Sequence, residues 1–383
     1  MSQRFSKVKE GGQPPKTSSV LRACATCGTV DIAVQETTDT GKMKIIYKVC
    51  GGNWGGTNVD ETFFDFLKNI FGSEVQNRLT NECRSEYVEF LRVFEIKKRT
   101  VDNNAEKNVN LVVPQSFINI LLKKSDSTME GNIKESPHGR TVLLMGNKLK
   151  IDHSAFVAFY KKSVDNIISH LQGIFNEDCC RDLVGVVMVG GFAESSIVNS
   201  AIKKAFPDKK FIIPMEAGLA VTKGAVLYGH EPDVICSRIC RYTYGKTIAE
   251  SFDESIHPIS RLILIEGRPY CRGVFQKFFT IGQVVSLGEA IELTSTLSFV
   301  DKWNKPSRRK PIHVSVYVSD KESPMYVDDK GCHLLGNIEV KCDKGIWPER
   351  VEIETKMEIA GTEIKVTSKM NTGEEVSATF DFL

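Results

Sequence analysis

LRACATCGTVDIAVQE, residues Leu21 to Glu36, carries two competing chemistries in sixteen positions. Cys24 and Cys27 stand in the C-x-x-C spacing of a metal or redox pair, whereas Gly28-Thr29-Val30-Asp31 has the form of a glycine turn that cradles phosphate. Val30, Ile32 and Val34 alternate as a strand does. After turn residues Asp39 and Gly41 a second run, MKIIYKV, predicts the other arm of a β-hairpin.

The cysteines do not assemble into a metal site on paper. No second C-x-x-C or H-x-x-x-H follows at zinc spacing, and the remaining pairs, Cys179-Cys180 and Cys236 with Cys240, read as small core residues. Eleven scattered cysteines also do not form the even framework of a small secreted scaffold, so reduced thiols and a cytoplasmic setting are expected. The seven histidines sit in unrelated contexts, His153 near a helix start and His313 opening a strand, and build no Ser/His/Asp or Cys/His constellation in the sequence.

Residues 1–20 are polar and basic with Gly11, Gly12, Pro14 and Pro15, which predicts a tail and neither a signal nor an anchor. No apolar run reaches the eighteen or so residues that span a bilayer. A balance of 50 basic against 48 acidic residues supplies no field for nucleic acid or an anionic membrane. One basic run, Lys302 to Lys310, reads as a solvated loop. At 383 residues the chain is long enough for two or three cores.

Downstream, GGNWGGTNVD (residues 51 to 60) leads into a helix with Val59, Phe63, Phe66, Leu67 and Ile70 on one face, and residues 81 to 100 predict another. LVVPQSFINILL and TVLLMGNKLKI read as short strands and a turn. From Asp152 a stripe of Phe156, Val157, Tyr160, Val164, Ile167, Ile168 and Leu171 predicts one long helix capped by Asp152 or Ser154. LVGVVMV (183 to 189) is apolar on both faces, as a buried parallel strand is, and ends in Gly190-Gly191 before a further helix. Beyond residue 235 the pattern turns to short alternating strands, and a β-sandwich is expected over 236–383.

Three glycine pairs, Gly51-Gly52, Gly55-Gly56 and Gly190-Gly191, fall at strand ends or helix starts, where backbone approaches a ligand closely and helix N–H groups face a phosphate. FEIKKRT with Asp102 beyond it sets Glu95, Lys98, Arg99 and Asp102 on neighbouring turns. A carboxylate there accepts from ribose hydroxyls and an arginine stacks on a base; alone, the same residues make a charged solvent face.

In combination these segments resemble the nucleotide-binding domain of the 70-kDa heat-shock protein family, part of the actin-like ATPase superfamily. CGTVDIAV is similar to its second phosphate turn, GGNWGGTNVDETF to the following glycine pair and helix, and FEIKKRTVD to the helix that contacts adenosine. MVGGFAESSIV is similar to the adenosine turn and PMEAGLAVTKGAVLYG to the helix closing the core. The spellings GGNWGGTNVD, FEIKKRT and EAGLAVTKGAVLYGH, with the terminal GTEIKVTSKMNTGEEVSATFDFL, lie closer to the divergent 12A/12B-like branch than to the ordinary chaperones.

The resemblance implies a partial α/β actin-like ATPase domain over 21–235 followed by an all-β sandwich. It implies a site for ATP or ADP, with Mg, at Gly28, Thr29, Asp31, Gly51, Gly52, Glu95, Lys98, Arg99, Asp102, Gly190, Gly191 and Phe192. Protein clients or signalling partners and a stress-response role are implied likewise. Two departures temper the activity. Family members begin with a first lobe carrying its own phosphate turn, which the residues before Leu21 do not resemble. Where the family has D-x-G-G-G-T-x-D, this chain has Cys24-Ala25-Thr26-Cys27-Gly28-Thr29-Val30-Asp31.

A charged hydrogen bond to phosphate contributes about 1.5 to 3 kcal/mol, so losing two weakens binding roughly a hundredfold or more. Cys24 in place of an aspartate is a poor ligand for hard magnesium. Weak or lost ATP hydrolysis is therefore expected. A non-enzymatic interaction protein that keeps the fold is the alternative, and an incomplete gene product is a third reading. No lid helix is read after the last strand, so client exchange is expected to be fast.

Overall fold

The computed structural model describes residues 18–105, 107–122, 128–300 and 308–382. Most of the predicted tail, Lys302, Lys305 and Pro306 of the basic run, and Leu383 lie outside them. The described residues form two compact units, one within 18–35 and 49–229 and one within 36–48 and 230–382.

The first unit is mixed α/β. Strands β1 (Ser18–Ala25), β2 (Val30–Thr37) and β3 (Met43–Gly52) are neighbours in the order β3-β2-β1, as the alternation around Val30 and the turn at Gly41 predict. Helix α1 (Gly56–Phe71) follows, then α2 (Ser73–Glu82) and α3 (Arg84–Thr100). Phe63 of α1 stacks on Phe94 of α3, with centroids 3.6 Å apart and planes 2° apart, and both rings are buried. Such a pair adds about 0.5 to 1.5 kcal/mol to the burial itself and fixes α3 on α1.

A small three-stranded sheet, β4 (Val109–Val112), β5 (Val142–Met145) and β6 (Lys148–Ile151), has the order β4-β6-β5, with α4 (Gln115–Leu122) and α5 (Met129–Glu135) between its strands. Here the sequence expectation is half corrected: QSFINILL is helical, because Phe117 and Ile120 bury one helical step apart and Pro114 starts the turn, its carbonyl accepting from the Phe117 N–H at 3.0 Å. The long helix expected from Asp152 is also two helices, α6 (His153–Ala158) and α7 (Lys161–Phe175). Between them Phe159 and Tyr160 donate three residues back, to Phe156 and Val157. That tightening ends α6 and places both Phe159 and Tyr160 in the core. Asp152 occupies the cap position of α6 without a side-chain hydrogen bond.

Strand β7 (Gly185–Val189) pairs in parallel with β1, Val20 opposite Gly185 through Cys24 opposite Val189. Helix α8 (Ser196–Ala205) leads to β8 (Phe211–Ile212), parallel to β7, and α9 (Ala217–His230) ends the unit. Apart from Ala217, α9 is largely solvent-facing, with Leu219, Val221, Val226 and Leu227 exposed.

The second unit is dominated by β-structure. Met43 and Lys44 of β3 pair in parallel with β9 (Ile235–Ile239). After β10 (Thr243–Ser251), β11 (Leu262–Ile265) and β12 (Arg268–Phe279), β13 (Val284–Ser286) returns to β9. The remaining strands are β14 (Ala290–Ser298), β15 (Ile312–Ser319), β16 (Cys332–Val340), β17 (Arg350–Ala360), β18 (Glu363–Met370) and β19 (Glu375–Asp381). They complete two sheets, β11-β12-β10-β15-β16 and β14-β17-β18-β19.

Alternate residues of these strands, including Val314, Val316, Val351, Ile353 and Val366, enter one core around the fully buried Trp347. Arg308 of the basic run is part of that fold: its Nε donates to the Trp347 carbonyl at 2.6 Å, and the Trp347 indole donates to the Lys310 carbonyl at 3.0 Å. Lys246 of β10 is buried at 2% exposure with no carboxylate beside it, donating to the Leu293 carbonyl and the hydroxyls of Ser295 and Thr355 at 3.0 to 3.2 Å. Burial lowers its pKa to about 8.

Candidate functional site

In the first unit the two glycine turns come together at the carboxyl ends of the parallel neighbours β1 and β7, the general position for ligands in an α/β sheet. Gly190 follows β7 with φ +93°, and a β-carbon there would lie 2.2 Å from the Ala25 carbonyl oxygen. Only glycine allows the two strand ends to approach so closely. A β-carbon on Gly191 meets nothing within 4 Å, so its face is open. Gly51 meets the first turn from the other side: a β-carbon there would be 1.9 Å from the Val30 carbonyl, and one on Gly52 would strike the Trp54 ring.

The turn between β1 and β2 is held by its own threonines. The Thr26 N–H donates to the Thr29 carbonyl at 2.9 Å, and the Thr29 N–H donates back to the Thr26 hydroxyl at 3.2 Å. The Thr29 hydroxyl donates to the Asp31 carboxylate at 2.9 Å. The start of α1 is spent on the same turn, since the N–H groups of Gly55, Gly56 and Thr57 donate to the carbonyls of Gly28, Thr26 and Cys27. Helix donors that would attract an anion are thus satisfied by backbone. Among the described residues, the Cys27 and Gly28 N–H groups donate to no backbone carbonyl.

Cys24, at the aspartate position of the family pattern, is partly buried, and burial followed by the nearby Asp31 charge raises its thiol pKa. It is a neutral thiol at neutral pH, with little affinity for magnesium. No group of three or more His, Cys, Asp or Glu able to hold a metal occurs among the described residues.

Glu95, Lys98 and Arg99 form one ion-pair network rather than three independent ligands. Lys98 points inward, 7% exposed, with Nζ 2.6 Å from Asp60 of α1 and 2.5 Å from Glu95. Burial raises the Asp60 pKa against the pull of Lys98. Burial also pushes on Glu95, but hydrogen bonds from Lys98 and Arg99 prevail and lower it. Arg99 holds Glu95 at 2.7 Å while its own guanidinium is largely solvated, and the charges of Cys27 and Glu194 act on it.

Phe192 is buried, ring-parallel to Tyr160 at 6.2 Å, and its edge lies 3.4 Å from the β-carbon position of Gly56. Tyr160 donates to the Lys98 carbonyl at 2.7 Å, so the end of α3 is pinned to the 190–192 turn through these rings. Asp102 accepts from the Asn104 N–H at 3.0 Å and the Ser196 hydroxyl at 3.1 Å, both of which lower its pKa. Glu194 accepts the Gly218 N–H at 2.8 Å at the start of α9.

Asp60, Tyr160, Glu194 and Ser196 were not singled out from the sequence. The signal for Asp60 is its place as the last residue of GGTNVD, one helical turn past Gly56; Ser196 and Glu194 lie in the quoted GGFAESS. Tyr160 is legible only as part of the apolar stripe; its hydrogen bond to the Lys98 carbonyl carries no local signal.

No family model matches the chain. It is 31% identical to heat shock 70 kDa protein 12A of Mus musculus and to that of Homo sapiens over 362 residues. It is 28% identical to human heat shock 70 kDa protein 12B over 368 residues. Each match takes in 93% of this chain. The chain is a homologue of the 12A/12B branch of the heat shock 70 kDa proteins. It spans about half the length, 53%, of the curated relatives it matches. The segments that carry the resemblance to this branch, from CGTVDIAV to the terminal strands, are those that build the two turns, α3, α9 and the second unit.

Proposed function

We propose that the first unit is an actin-like, heat-shock-70-type nucleotide domain that grips the adenosine end of ATP or ADP and holds the phosphates weakly, so that hydrolysis is slight or lost. One observation carries this reading: the end of α3, which bears the solvated Arg99, is tied through Tyr160 to Phe192 of the turn after β7, where Gly191 is open, and Asp102 accepts from Ser196 just beyond that turn. Arg99 offers a plane for the base, Glu95 and Asp102 accept from ribose hydroxyls, and the N–H groups of Cys27 and Gly28, which donate to no backbone carbonyl among the described residues, are left for a phosphate. Lys98 acts by positioning Glu95 from inside. When magnesium accompanies the nucleotide, Asp31 is the carboxylate nearest the turn to meet it through water, and Cys24 contributes nothing to it.

Isothermal titration with ATP and ADP, with and without magnesium, tests the reading. Heat that disappears in Arg99→Ala supports it, and no heat at millimolar nucleotide sinks it.

A second reading, an interaction protein without turnover, is favoured by the self-satisfied Thr26–Thr29 turn and the backbone-satisfied start of α1. Phosphoryl transfer requires charge and water to be placed around the transition state, and this turn supplies few free donors. A measured ATPase rate above background, lost on replacing Gly190 or Glu95, overturns that reading. In either case the β-rich second unit is the proposed contact for protein clients or signalling partners, in the cytoplasm.

A further inference from the structure

Away from the glycine turns, the first unit brings a cysteine and a histidine together that the proposed nucleotide site does not use. Cys50, near the end of β3, has its Sγ 3.1 Å from Nε2 of His170 on α7, and both side chains are partly exposed. The Trp54 ring lies 4.9 Å from the imidazole, centroid to centroid, and holds its plane. With the ring proton on Nδ1, Nε2 accepts from the Cys50 thiol. Two further sulfurs are near: Cys179 and Cys180 are 3.7 Å apart, Cys179 exposed and Cys180 buried. Burial first, then Cys179, Glu177 and Cys50, push the Cys180 thiol up to about 12, which leaves it inert at neutral pH.

We propose that Cys50 and His170 form a nucleophilic thiol–imidazole pair, a site of reversible modification by low-molecular-weight disulfides. His170 Nε2 takes the Cys50 proton, and the resulting thiolate attacks one sulfur of the disulfide. The disulfide's S–S bond breaks as the Cys50–sulfur bond forms, and the departing thiolate takes the proton from the imidazolium. No net oxidant beyond the disulfide is needed. Among the described residues, Cys179 and Glu177, near the end of α7, act together with Cys50 on the neighbouring Cys180. The adduct sits one residue from Gly51, whose backbone touches the Val30 carbonyl. The inference does not depend on which ligand the glycine turns take.

The test is site-resolved labelling of the whole chain with oxidised glutathione and, separately, a bromobimane, read by peptide mass spectrometry. An ordinary thiol is only a few per cent ionised at neutral pH, so an activated Cys50 is expected to react about tenfold or more faster than exposed Cys27 and Cys179. In His170→Gln the Cys50 rate is expected to fall to theirs. A measurement on the unaltered protein needs no variant: the Cys50 rate stays nearly flat from about pH 6 to 8, whereas an unassisted thiol gains about tenfold per unit. Cys27 or Cys179 labelling first, or a Cys50 rate climbing tenfold per pH unit, overturns the proposal.

Discussion

Gly190 and Lys98 are the two residues whose replacement should reach furthest. At Gly190 a methyl group meets the Ala25 carbonyl and the φ of +93° is hostile to any side chain. Gly190→Ala is expected to cost about 2 to 4 kcal/mol in urea unfolding, as positions with both strain and a backbone clash do. Lys98→Met removes the cation between Asp60 and Glu95 and leaves two half-buried carboxylates facing each other. A loss of about 3 kcal/mol is expected, relieved at low pH once the carboxylates protonate. In the second unit Lys246 gives a pH signature of the opposite kind.

The Lys246 pKa is about 8 in the folded chain against 10.5 for the free side chain, so between those values the unfolded state binds more protons. Stability therefore rises with pH across that window by about 3 kcal/mol and is flat below it. Urea melts of the native chain against Lys246→Met show this as a slope that the variant lacks.

Among the elements, α1 and α9 contrast most. Helix α1 has Phe63, Phe66, Leu67 and Ile70 fully enclosed, and Phe63→Ala is expected to cost about 3 to 5 kcal/mol by loss of the Phe94 stack and the cavity left behind. Helix α9 is as apolar in sequence, yet Leu227 is 59% exposed and Leu227→Lys should move unfolding by less than about 0.5 kcal/mol. Periodicity made α1 legible, because Val59, Phe63, Phe66 and Ile70 fall on one helical face. It also located β2, β3, β7 and the alternating strands of the second unit. It misread residues 115–122, where five apolar residues in a short segment are equally a strand or a helix, and it joined α6 to α7, because three-residue steps at Phe159 and Tyr160 leave the apolar stripe nearly intact. In the candidate site, glycine pairs and charged residues could be read one by one. That Lys98 faces inward, and that Thr26 closes its own turn, follows from contacts with Asp60 and Thr29 that spacing along the chain does not contain.

For the molecule as a whole, homology to the 12A/12B branch and the α/β unit followed by β-sheets agree, but a shared fold does not by itself carry a shared activity. Activity rests on whether the turns at β1 and β7, with Arg99 beside them, still hold a nucleotide. Two donors facing a phosphate instead of a full cradle imply an affinity weaker than micromolar by about two orders of magnitude. Titration calorimetry of the whole chain with ADP and ATP measures this directly. The account predicts binding near 0.1 to 1 mM, roughly 4 to 5.5 kcal/mol, similar for the two nucleotides and abolished by Arg99→Ala. An absence of heat at several millimolar, or binding that survives loss of Arg99, contradicts it.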